Sequence, residues 1–369
     1  MEFRDLKTQY ICHKEAIDGA IARTVAKGHF IGGEPVTQLE EALADYVGAK
    51  HCISCANGTD ALLLALLAWG VGEGDAVFVP DFTFFSTAEV VPWVGATPVF
   101  VDIDGDTFNM SPEALEETVR GVKEEGRLTP RAVIAVDLFG QSAEYERIRQ
   151  IAEKYGLFLL EDAAQGFGGR IGDKRACSFG DISTTSFFPA KPLGCYGDGG
   201  AVFTDNDGWA ELIRSYKVHG KGFDKYDNIR IGMNSRLDTI QAAVLLEKLR
   251  FFEEELESCN RVAAAYTERL KDKVKTPTVL PGYYSCWAQY TVRFSDEKQR
   301  EEAALRLKEA GIPSMVYYRK PMHALKAFEG IQTYRGDWKT ADEACRTCLS
   351  LPMHAYLQEK TLDKITELI

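Results

Sequence analysis

The chain has 369 residues, of which 45% are hydrophobic and 27% are charged, and its formal net charge is −12. This length suits a large domain together with a smaller one, and the composition is that of an ordinary globular protein. The acidic balance argues against a nucleic-acid-binding protein and does not indicate binding to a membrane surface. An anionic small molecule would have to be met by a local cluster of cationic side chains.

The sequence also bears on the cellular location of the protein and on metal binding. No stretch approaches the roughly 20 apolar residues of a transmembrane helix, and the N-terminal sequence lacks the apolar core of a signal peptide. Nine cysteines without a secretory signal indicate reduced thiols, so we expect a cytoplasmic protein. The pairs Cys52/Cys55 and Cys345/Cys348 imitate a zinc pattern. The first pair lies on a predicted strand, where residues three apart face opposite sides, and the second lies in a helical pattern without a suitable histidine, so we expect no metal site.

From about residue 50 the sequence alternates between strand and helix patterns. Ser111 followed by Pro112 is a typical helix start. Such alternation predicts a mostly parallel sheet covered by helices on both faces, with ligands at the carboxyl ends of the strands. The predicted strands are 51–56, 76–80, 97–102, 131–139 and 157–161, and the predicted helices are 60–69, 83–94, 112–125 and 143–155.

The pattern changes after Asn234. Residues 234–270 have the composition of one or two long helices that lead into a second domain. We therefore expect an α/β fold with a large domain over residues 1–250 and a small α+β domain over residues 251–369. The small domain is predicted to contain strand 289–295, helix 299–310, strand 314–318 and helices around 340–348 and 361–368.

Lys191 is the residue that most strongly indicates a function. It lies between a β-rich apolar stretch and a glycine-rich turn, in the run SFFPAKPLGCYGDGG. Asp162 follows a buried strand, and Gly58 and Thr59 open an apolar helix whose free N–H groups favour a phosphate. Each feature alone has an ordinary explanation: a salt-bridge lysine, a buried ion pair with an arginine, or a capped helix start. Together, an amine, a carboxylate and a phosphate cradle indicate a pyridoxal phosphate site.

The chemistry of this cofactor gives each group a role. A buried carboxylate at Asp162 would pair with the protonated pyridine nitrogen and keep the ring an electron sink. Lys191 would form the Schiff base and later shuttle a proton, which requires a desolvated site near another positive charge. Gln165 is placed to donate to the phenolic oxygen of the ring and Ser186 to bind a phosphate oxygen. Phe84 would stack on the ring, or else it is a core aromatic residue.

Five ordered motifs along the chain resemble those of the sugar aminotransferases of the DegT/DnrJ/EryC1/StrS family, which have fold type I of the pyridoxal phosphate enzymes. The combination of SFFPAKPLGCYGDGG with NSRLDTIQAA is similar to 3-aminotransferases that act on a UDP-linked 2-acetamido-3-keto-glucuronate. Those enzymes help to build surface polysaccharides such as the O-antigen of bacterial lipopolysaccharide. The motifs are Asp5-Leu6-Lys7, Gly58-Thr59-Asp60-Ala61-Leu62, EDAAQ from Glu161, the Lys191 run, and Gly232-Met233-Asn234-Ser235-Arg236-Leu237-Asp238.

For the cofactor, the resemblance implies the same roles for Lys191, Asp162 and Gln165, and a phosphate site made by Gly58, Thr59 and Ser186. It further implies that Asn234 reaches the phosphate of the neighbouring subunit, so that the active site is shared within a homodimer.

For the substrate, the resemblance implies that Arg236 binds an anionic group, such as a carboxylate, through a bidentate fork. The alternative is a surface arginine at a helix start. Tyr317, Tyr318 and His323 belong to a segment that lies on the substrate side in the family. Relatives often have histidine-tyrosine-proline there, and this chain has tyrosine in place of the histidine and Arg319 in place of the proline.

The implied reaction is a ping-pong transamination. L-Glutamate gives its amino group to the cofactor, which becomes pyridoxamine phosphate and then aminates a keto group on a nucleotide sugar. One alternative is a related enzyme for a dTDP-linked 3-keto- or 4-keto-6-deoxyhexose. Another is a non-catalytic pyridoxal phosphate-binding regulator, which would be expected to lack Lys191 or Asp162 or to carry a DNA-binding extension. A dehydrating relative would carry histidine in place of Lys191.

Overall fold

The computed structural model describes residues 1–224, 226–331, 334 and 336–369. The helices are α1 (Leu6–Cys12), α2 (Lys14–Lys27), α3 (Glu34–Val47), α4 (Gly58–Ala68), α5 (Ser86–Trp93), α6 (Pro112–Glu125), α7 (Tyr145–Tyr155), α8 (Asp207–Tyr216), α9 (Thr239–Leu249), α10 (Phe252–Leu270), α11 (Glu297–Glu309), α12 (Lys339–Thr347) and α13 (Glu359–Thr366). The strands are β1 (His51–Cys55), β2 (Asp75–Pro80), β3 (Thr97–Val101), β4 (Thr129–Val136), β5 (Phe158–Asp162), β6 (Arg170–Ile171), β7 (Lys174–Arg175), β8 (Ile182–Ser186), β9 (Gly200–Thr204), β10 (Tyr283–Tyr284), β11 (Tyr290–Arg293) and β12 (Cys348–Leu351).

The central element is a seven-stranded sheet with the order β1-β9-β8-β5-β4-β2-β3. Five adjacent strands of this sheet run parallel to one another: β3, β2, β4, β5 and β8. Strand β9 runs antiparallel to both β8 and β1. The predicted α/β fold with a mostly parallel sheet is confirmed. Because β5 pairs with β8, the carboxyl end of β5 lies beside the strand that leads to Lys191.

Both faces of this sheet are covered, as its strand sequences require. In β2, Val77 and Val79 pack into the core on one face, and Phe78 packs into the core on the other face. Helix α4 is buried along nearly all of its length, so it is apolar on every side instead of having one apolar stripe. This burial fixes the N-terminus of α4 against the sheet.

A separate core lies in the C-terminal part of the chain, between α10, α11, α13 and the β11–β12 pair. Tyr266, Tyr290 and Leu307 are among its fully buried members. The division of the chain at residue 250 stays a proposal; that residue is the C-cap of α9 and precedes α10.

Several element boundaries differ from the sequence prediction. Cys345 is helical as predicted, but Cys348 begins β12, because the pairing of Cys348 with Arg293 of β11 overrides the local helical pattern. Segment 314–318 is not a regular strand and has only an isolated bridge between Met315 and Ser350.

Two helices also begin later than predicted. The helix expected from residue 83 begins at Ser86, and the helix expected from Asn234 begins at Thr239. Asn234 instead forms an isolated antiparallel bridge with Val218. This pairing keeps the residues before Thr239 outside the helix. In the part of the chain that the structure describes, no helix combines the length and the apolar character that crossing a membrane requires.

Candidate active site

The loop between β8 and β9 carries Lys191 and is tightly folded. The Lys191 N–H donates to the Phe188 carbonyl at 2.8 Å, and the Cys195 N–H donates to the Phe187 carbonyl at 2.8 Å. A Cβ atom at Gly194 would lie 2.4 Å from the Pro189 carbonyl oxygen, so only glycine fits there. These main-chain contacts fix the position of the Lys191 backbone.

The Lys191 amine makes no hydrogen bond or ion pair with the described residues. Burial lowers its pKa, the Asp162 carboxylate opposes this effect, and the positive charge of Arg4 adds to it. A neutral lysine amine is the nucleophilic form, so this environment suits a lysine that forms a covalent bond with a carbonyl compound.

Asp162 is the last residue of β5 and is 4% exposed. Its Oδ2 accepts a hydrogen bond from Thr87 Oγ1 at 2.8 Å, and its Oδ1 accepts one from the Ala164 N–H at 3.1 Å. Burial raises the pKa of Asp162, and these two hydrogen bonds together with the charge of Lys191 lower it. Since both hydrogen-bond donors are neutral, the carboxylate can still pair with a cation.

The N-terminus of α4 meets the end of β8. Asn57 caps the helix by accepting from the Asp60 N–H at 2.8 Å. A Cβ atom at Gly58 would lie 2.8 Å from the Cβ atom of Ser186, so the close approach requires glycine. The Thr59 hydroxyl lies 2.8 Å from the Ser86 hydroxyl. Free N–H groups of a helix start and three hydroxyl groups thus face one region, which suits a phosphate.

Gln165 and Tyr318 are joined across the site. Gln165 Oε1 accepts from the Phe139 N–H at 2.8 Å, and its Nε2 donates to the Tyr318 hydroxyl at 3.1 Å. The rings of Phe84 and Tyr318 are 6.4 Å apart, and Phe84 is 53% exposed. Phe84 is therefore not a core residue in this chain, and its ring is open to a ligand.

His323 and Tyr317 make contacts away from Lys191. The His323 ring lies 2.6 Å from a carboxylate oxygen of the buried Asp81 and stacks on Trp338 at 4.4 Å. The hydrogen bond with Asp81 raises the pKa of His323. Tyr317 packs edge-on against Phe3 at 6.2 Å. His323 thus links its segment to the loop that carries Phe84.

Asn234 and Arg236 are exposed, and their side chains make no hydrogen bond or ion pair with the described residues. Ser235 between them is buried; its hydroxyl accepts from the Ala56 N–H at 3.0 Å, two residues before Gly58. The segment is therefore fixed near the start of α4. The side chains of Asn234 and Arg236, which are predicted to bind ligands, remain exposed.

Three site residues were not predicted from the sequence. Thr87 holds Asp162, Ser86 contacts Thr59, and Arg4 donates to the Pro192 carbonyl at 3.3 Å. The only sequence signal for the first two is their position at the start of a helix directly after Phe84. Arg4 adjoins the Asp5-Leu6-Lys7 motif, but nothing local connects it with Lys191.

Known proteins resemble this chain over nearly its whole length. The chain is 46% identical over 365 residues to the UDP-2-acetamido-2-deoxy-3-oxo-D-glucuronate aminotransferase of Pseudomonas aeruginosa, covering 98% of this chain and 97% of the relative. It is 40% identical to a pleiotropic regulatory protein of Geobacillus stearothermophilus, covering 99% and 96%. A crystal structure of a DegT DnrJ EryC1 StrS aminotransferase from Brucella abortus superposes with a TM-score of 0.97 at 49% identity, covering 100% of this chain and 98% of that chain.

A family model also matches the chain. The model of the DegT/DnrJ/EryC1/StrS aminotransferase family matches residues 11–369, a span that includes Lys191, Asp162 and the start of α4. This chain therefore belongs to the DegT/DnrJ/EryC1/StrS aminotransferase family.

Proposed function

We propose that this chain is a pyridoxal phosphate-dependent aminotransferase that moves an amino group from L-glutamate to the 3-keto group of a UDP-linked 2-acetamido-3-keto-glucuronate. The observation that carries the proposal is the convergence of Lys191, Asp162 and the Gly58–Ser186 contact at one end of the sheet. The substrate is the one in the name of the Pseudomonas relative.

The residues of the site fit pyridoxal phosphate, which is the cofactor of this family. When bound, this group supplies a carbonyl for covalent attachment and an electron-withdrawing ring. Gly58, Thr59 and Ser186 hold its phosphate at the start of α4. Asp162, whose hydrogen bonds come from neutral donors, balances the positive charge of the protonated ring nitrogen.

The other roles at the cofactor belong to Lys191 and to the residues around it. Lys191 would hold the cofactor through its carbonyl group, and its neutral amine would take and return a proton at the reacting carbon. Gln165 orients the ring, together with Tyr318 to which it is bonded. Phe84 covers the ring and keeps water from it.

On the substrate side, we assign the carboxylate of the sugar to Arg236, since a guanidinium binds a carboxylate in a bidentate manner. Tyr317 and Tyr318 border the sugar. His323 acts on the substrate side indirectly, through Asp81, because its ring is hydrogen-bonded to that carboxylate and stacked on Trp338.

The active site is completed by a second copy of the chain. Apolar side chains are exposed near Asn234. Phe223 is 98% exposed and Ile231 is 94% exposed. Phe30 and Ile31 are also exposed; the Phe30 carbonyl accepts from the Thr239 N–H, and Ile31 bridges to Asp238. Exposed apolar surface of this kind is typical of an interface between proteins. We infer a homodimer in which Asn234 and Arg236 reach the partner's site.

The cellular setting follows from the substrate and the thiols. All nine cysteines are free thiols, eight of them buried, which suits a reducing cytoplasm. The product would be a diamino-uronic acid precursor for a bacterial surface polysaccharide, such as the O-antigen of lipopolysaccharide.

A comparison of acceptors tests this function. The protein is loaded with pyridoxal phosphate and L-glutamate, the donor is removed, and the return of the original cofactor absorbance is followed with each keto-sugar. We expect rapid return with the UDP-linked 3-keto-uronate and slow return with dTDP-linked 3-keto- and 4-keto-6-deoxyhexoses.

Rapid return with a dTDP-linked sugar alone would keep the mechanism and overturn the substrate. No change of absorbance with glutamate would contradict the donor, or catalysis itself. A non-catalytic regulator is disfavoured despite the name of the Geobacillus relative, because Lys191 and Asp162 are both present and share one site.

A further inference from the structure

The loop that carries Lys191 is held by two cationic side chains that lie outside the central sheet. Arg4 donates from Nη2 to the Pro192 carbonyl at 3.3 Å, and Lys248 of α9 donates from Nζ to the Gly194 carbonyl at 2.7 Å. Lys248 is 2% exposed and lies 4.5 Å from the ring centroid of Tyr196. The two contacts fix the main chain one and three residues after Lys191.

Neither cation has an ion-pair partner. Within the described residues, no carboxylate lies within 4.0 Å of the charged nitrogens of Arg4 or Lys248. Arg4 Nη1 is buried and makes no hydrogen bond. An unpaired buried charge is costly, so its presence here calls for a functional explanation.

The surroundings of Arg4 contain two carboxylates, of Asp5 and Glu255, and within the described residues neither forms an ion pair with it. Arg4 borders a cavity of about 20 Å³ together with Gln9, Pro192, Glu255, Cys286 and His354. The Glu255 carboxylate accepts hydrogen bonds from Gln9 Nε2 at 2.8 Å and from the Tyr356 hydroxyl.

The other titratable groups around the cavity are a carboxylate that is hydrogen-bonded elsewhere and two groups that are neutral near pH 7. The Asp5 carboxylate caps α1 through the Thr8 N–H at 2.9 Å. Burial lowers the pKa of His354 to about 4 and raises the pKa of Cys286 to about 12, so both groups are neutral near pH 7.

We propose that Arg4 is a positioning residue for Lys191: it fixes the loop through Pro192 and places a positive charge without an ion-pair partner beside that loop. Lys248 is its companion and fixes the same loop through Gly194. The purpose of this arrangement rests on the function proposed above, because a lysine that attacks a carbonyl group must be uncharged.

The electrostatics of Lys191 agree with this geometry. Two charged groups act on its amine besides burial: Asp162 favours the charged form, and Arg4 opposes it. Burial lowers the pKa of Lys248 to about 8; the charge of Glu255 opposes this shift, and the charge of Arg4 adds to it. Arg4 is thus the positive neighbour of both lysines.

The test measures the protonation of Lys191 without any sugar. Cofactor-free protein is labelled with trace acetic anhydride across a pH series, and acetylation of the Lys191 peptide is quantified by mass spectrometry, with exposed Lys174 as the internal standard. We expect Arg4→Gln to raise the midpoint pH of Lys191 labelling by about one unit. Arg4→Lys, which keeps the charge, should leave the midpoint within a few tenths of a unit of the wild-type value.

An unchanged midpoint in Arg4→Gln would overturn the electrostatic role, and equal shifts in Arg4→Gln and Arg4→Lys would reduce Arg4 to a purely structural contact. If Arg4→Gln does not fold, Arg4→Met replaces it, since both remove the charge. Failure of the acceptor assay would leave this readout intact, because the labelling needs neither donor nor acceptor.

Discussion

At the scale of single residues, the site depends on a half-buried lysine and a buried carboxylate that influence each other's charge. Burial lowers the pKa of Lys191 and raises that of Asp162, while their mutual attraction acts in the opposite direction on each. Thr87 stabilises the charged form of Asp162 by donating to it. The carboxylate therefore stays available for a cationic ring, and the amine stays close to its nucleophilic form.

Replacing Lys191 tests the first of these roles. Lys191→Ala removes the only proposed proton carrier, so turnover should fall by at least about 10³-fold, while the fold and non-covalent cofactor binding are retained. Transaminase activity and the absorbance of the bound cofactor are measured, with Lys174→Ala as the control on an exposed lysine. Normal transamination by Lys191→Ala would refute the mechanism.

A second pair of buried groups lies directly behind Asp162. The carboxyl groups of Asp137 and Glu161 are hydrogen-bonded to each other, and both residues are fully buried. Glu161 accepts from the Cys177 N–H at 2.6 Å, the Phe179 N–H at 2.8 Å and the Ser183 hydroxyl at 2.7 Å. Two carboxyl groups can share a hydrogen bond only if one is protonated, and Glu161 has more donors that favour its charged form, so we assign the proton to Asp137.

This assignment predicts a pH-dependent stability. Because burial and the charge of Glu161 raise the pKa of Asp137, its contribution to stability is complete below its unfolded pKa of about 3.9 and is lost as the pH rises toward the folded value. Asp137→Asn stays neutral at every pH. Its free energy of unfolding relative to wild type should therefore increase between about pH 5 and about pH 8, by at most ~1.4 kcal/mol per pH unit.

Denaturant unfolding at several pH values measures this difference, with Asp173→Asn on an exposed turn as the matched control. A constant difference between Asp137→Asn and wild type across the pH range would show that Asp137 is ionised in the folded protein.

At the scale of secondary-structure elements, the start of α4 packs so closely against the ends of β8 and β9 that a Cβ atom at either facing glycine would disturb the phosphate site. The Gly58–Ser186 contact is one such point, and a Cβ atom at Gly200 of β9 would lie 2.5 Å from the Asn57 carbonyl oxygen. These glycines let two strands and a helix start converge on one small ligand.

Gly58→Ala tests this packing. The added methyl group would displace the helix start from Ser186, so we expect cofactor affinity to fall about tenfold, which corresponds to 1.4 kcal/mol of overpacking. Equilibrium titration with pyridoxal phosphate provides the measurement. The control is Gly72→Ala, whose Cβ atom would meet only the Val94 carbonyl oxygen at 3.7 Å. Equal cofactor affinities for the two variants would contradict a phosphate site at Gly58.

Elements were predictable from sequence where the signal was local. The alternation of strands and helices over residues 51–162 and the capped start of α6 at Ser111 follow from residue patterns, and both occur in the structure. Elements defined by distant pairing were not predictable. Cys348 joins β12 because of Arg293, and Asn234 stays extended because of Val218, and neither partner is visible in a local pattern.

The same limit applies to the site. The roles of Lys191, Asp162 and Gly58 could be inferred because each stands beside a strand end or a helix start. Arg4 could not, since its link to Pro192 spans most of the large domain in sequence. His323 was predicted to bind substrate from a motif, and only the folded chain reveals its hydrogen bond with Asp81.

At the scale of the whole molecule, the proposed dimer accounts for the exposed apolar residues and for the free side chains of Asn234 and Arg236. Phe223→Asp places a charge on the exposed apolar surface and should shift the protein toward monomer. Since Asn234 would then miss the partner's phosphate site, cofactor affinity should fall in parallel, by about tenfold or more.

Analytical ultracentrifugation and cofactor titration measure these two effects, with Leu305→Asp, another exposed apolar residue distant in sequence, as the control. A Phe223→Asp variant that stays dimeric and binds the cofactor normally would contradict the placement of the interface.

The central claim is the transfer of an amino group to a specific nucleotide sugar. Purified protein, pyridoxal phosphate, heavy-nitrogen L-glutamate and the UDP-linked 3-keto-uronate are incubated, and the sugar nucleotide is analysed by mass spectrometry. The account predicts a UDP-linked 3-amino sugar that carries the heavy nitrogen, and no labelled sugar with Lys191→Ala. Absence of label from the sugar, while a dTDP-linked keto-sugar accepts it under the same conditions, would contradict the proposed substrate.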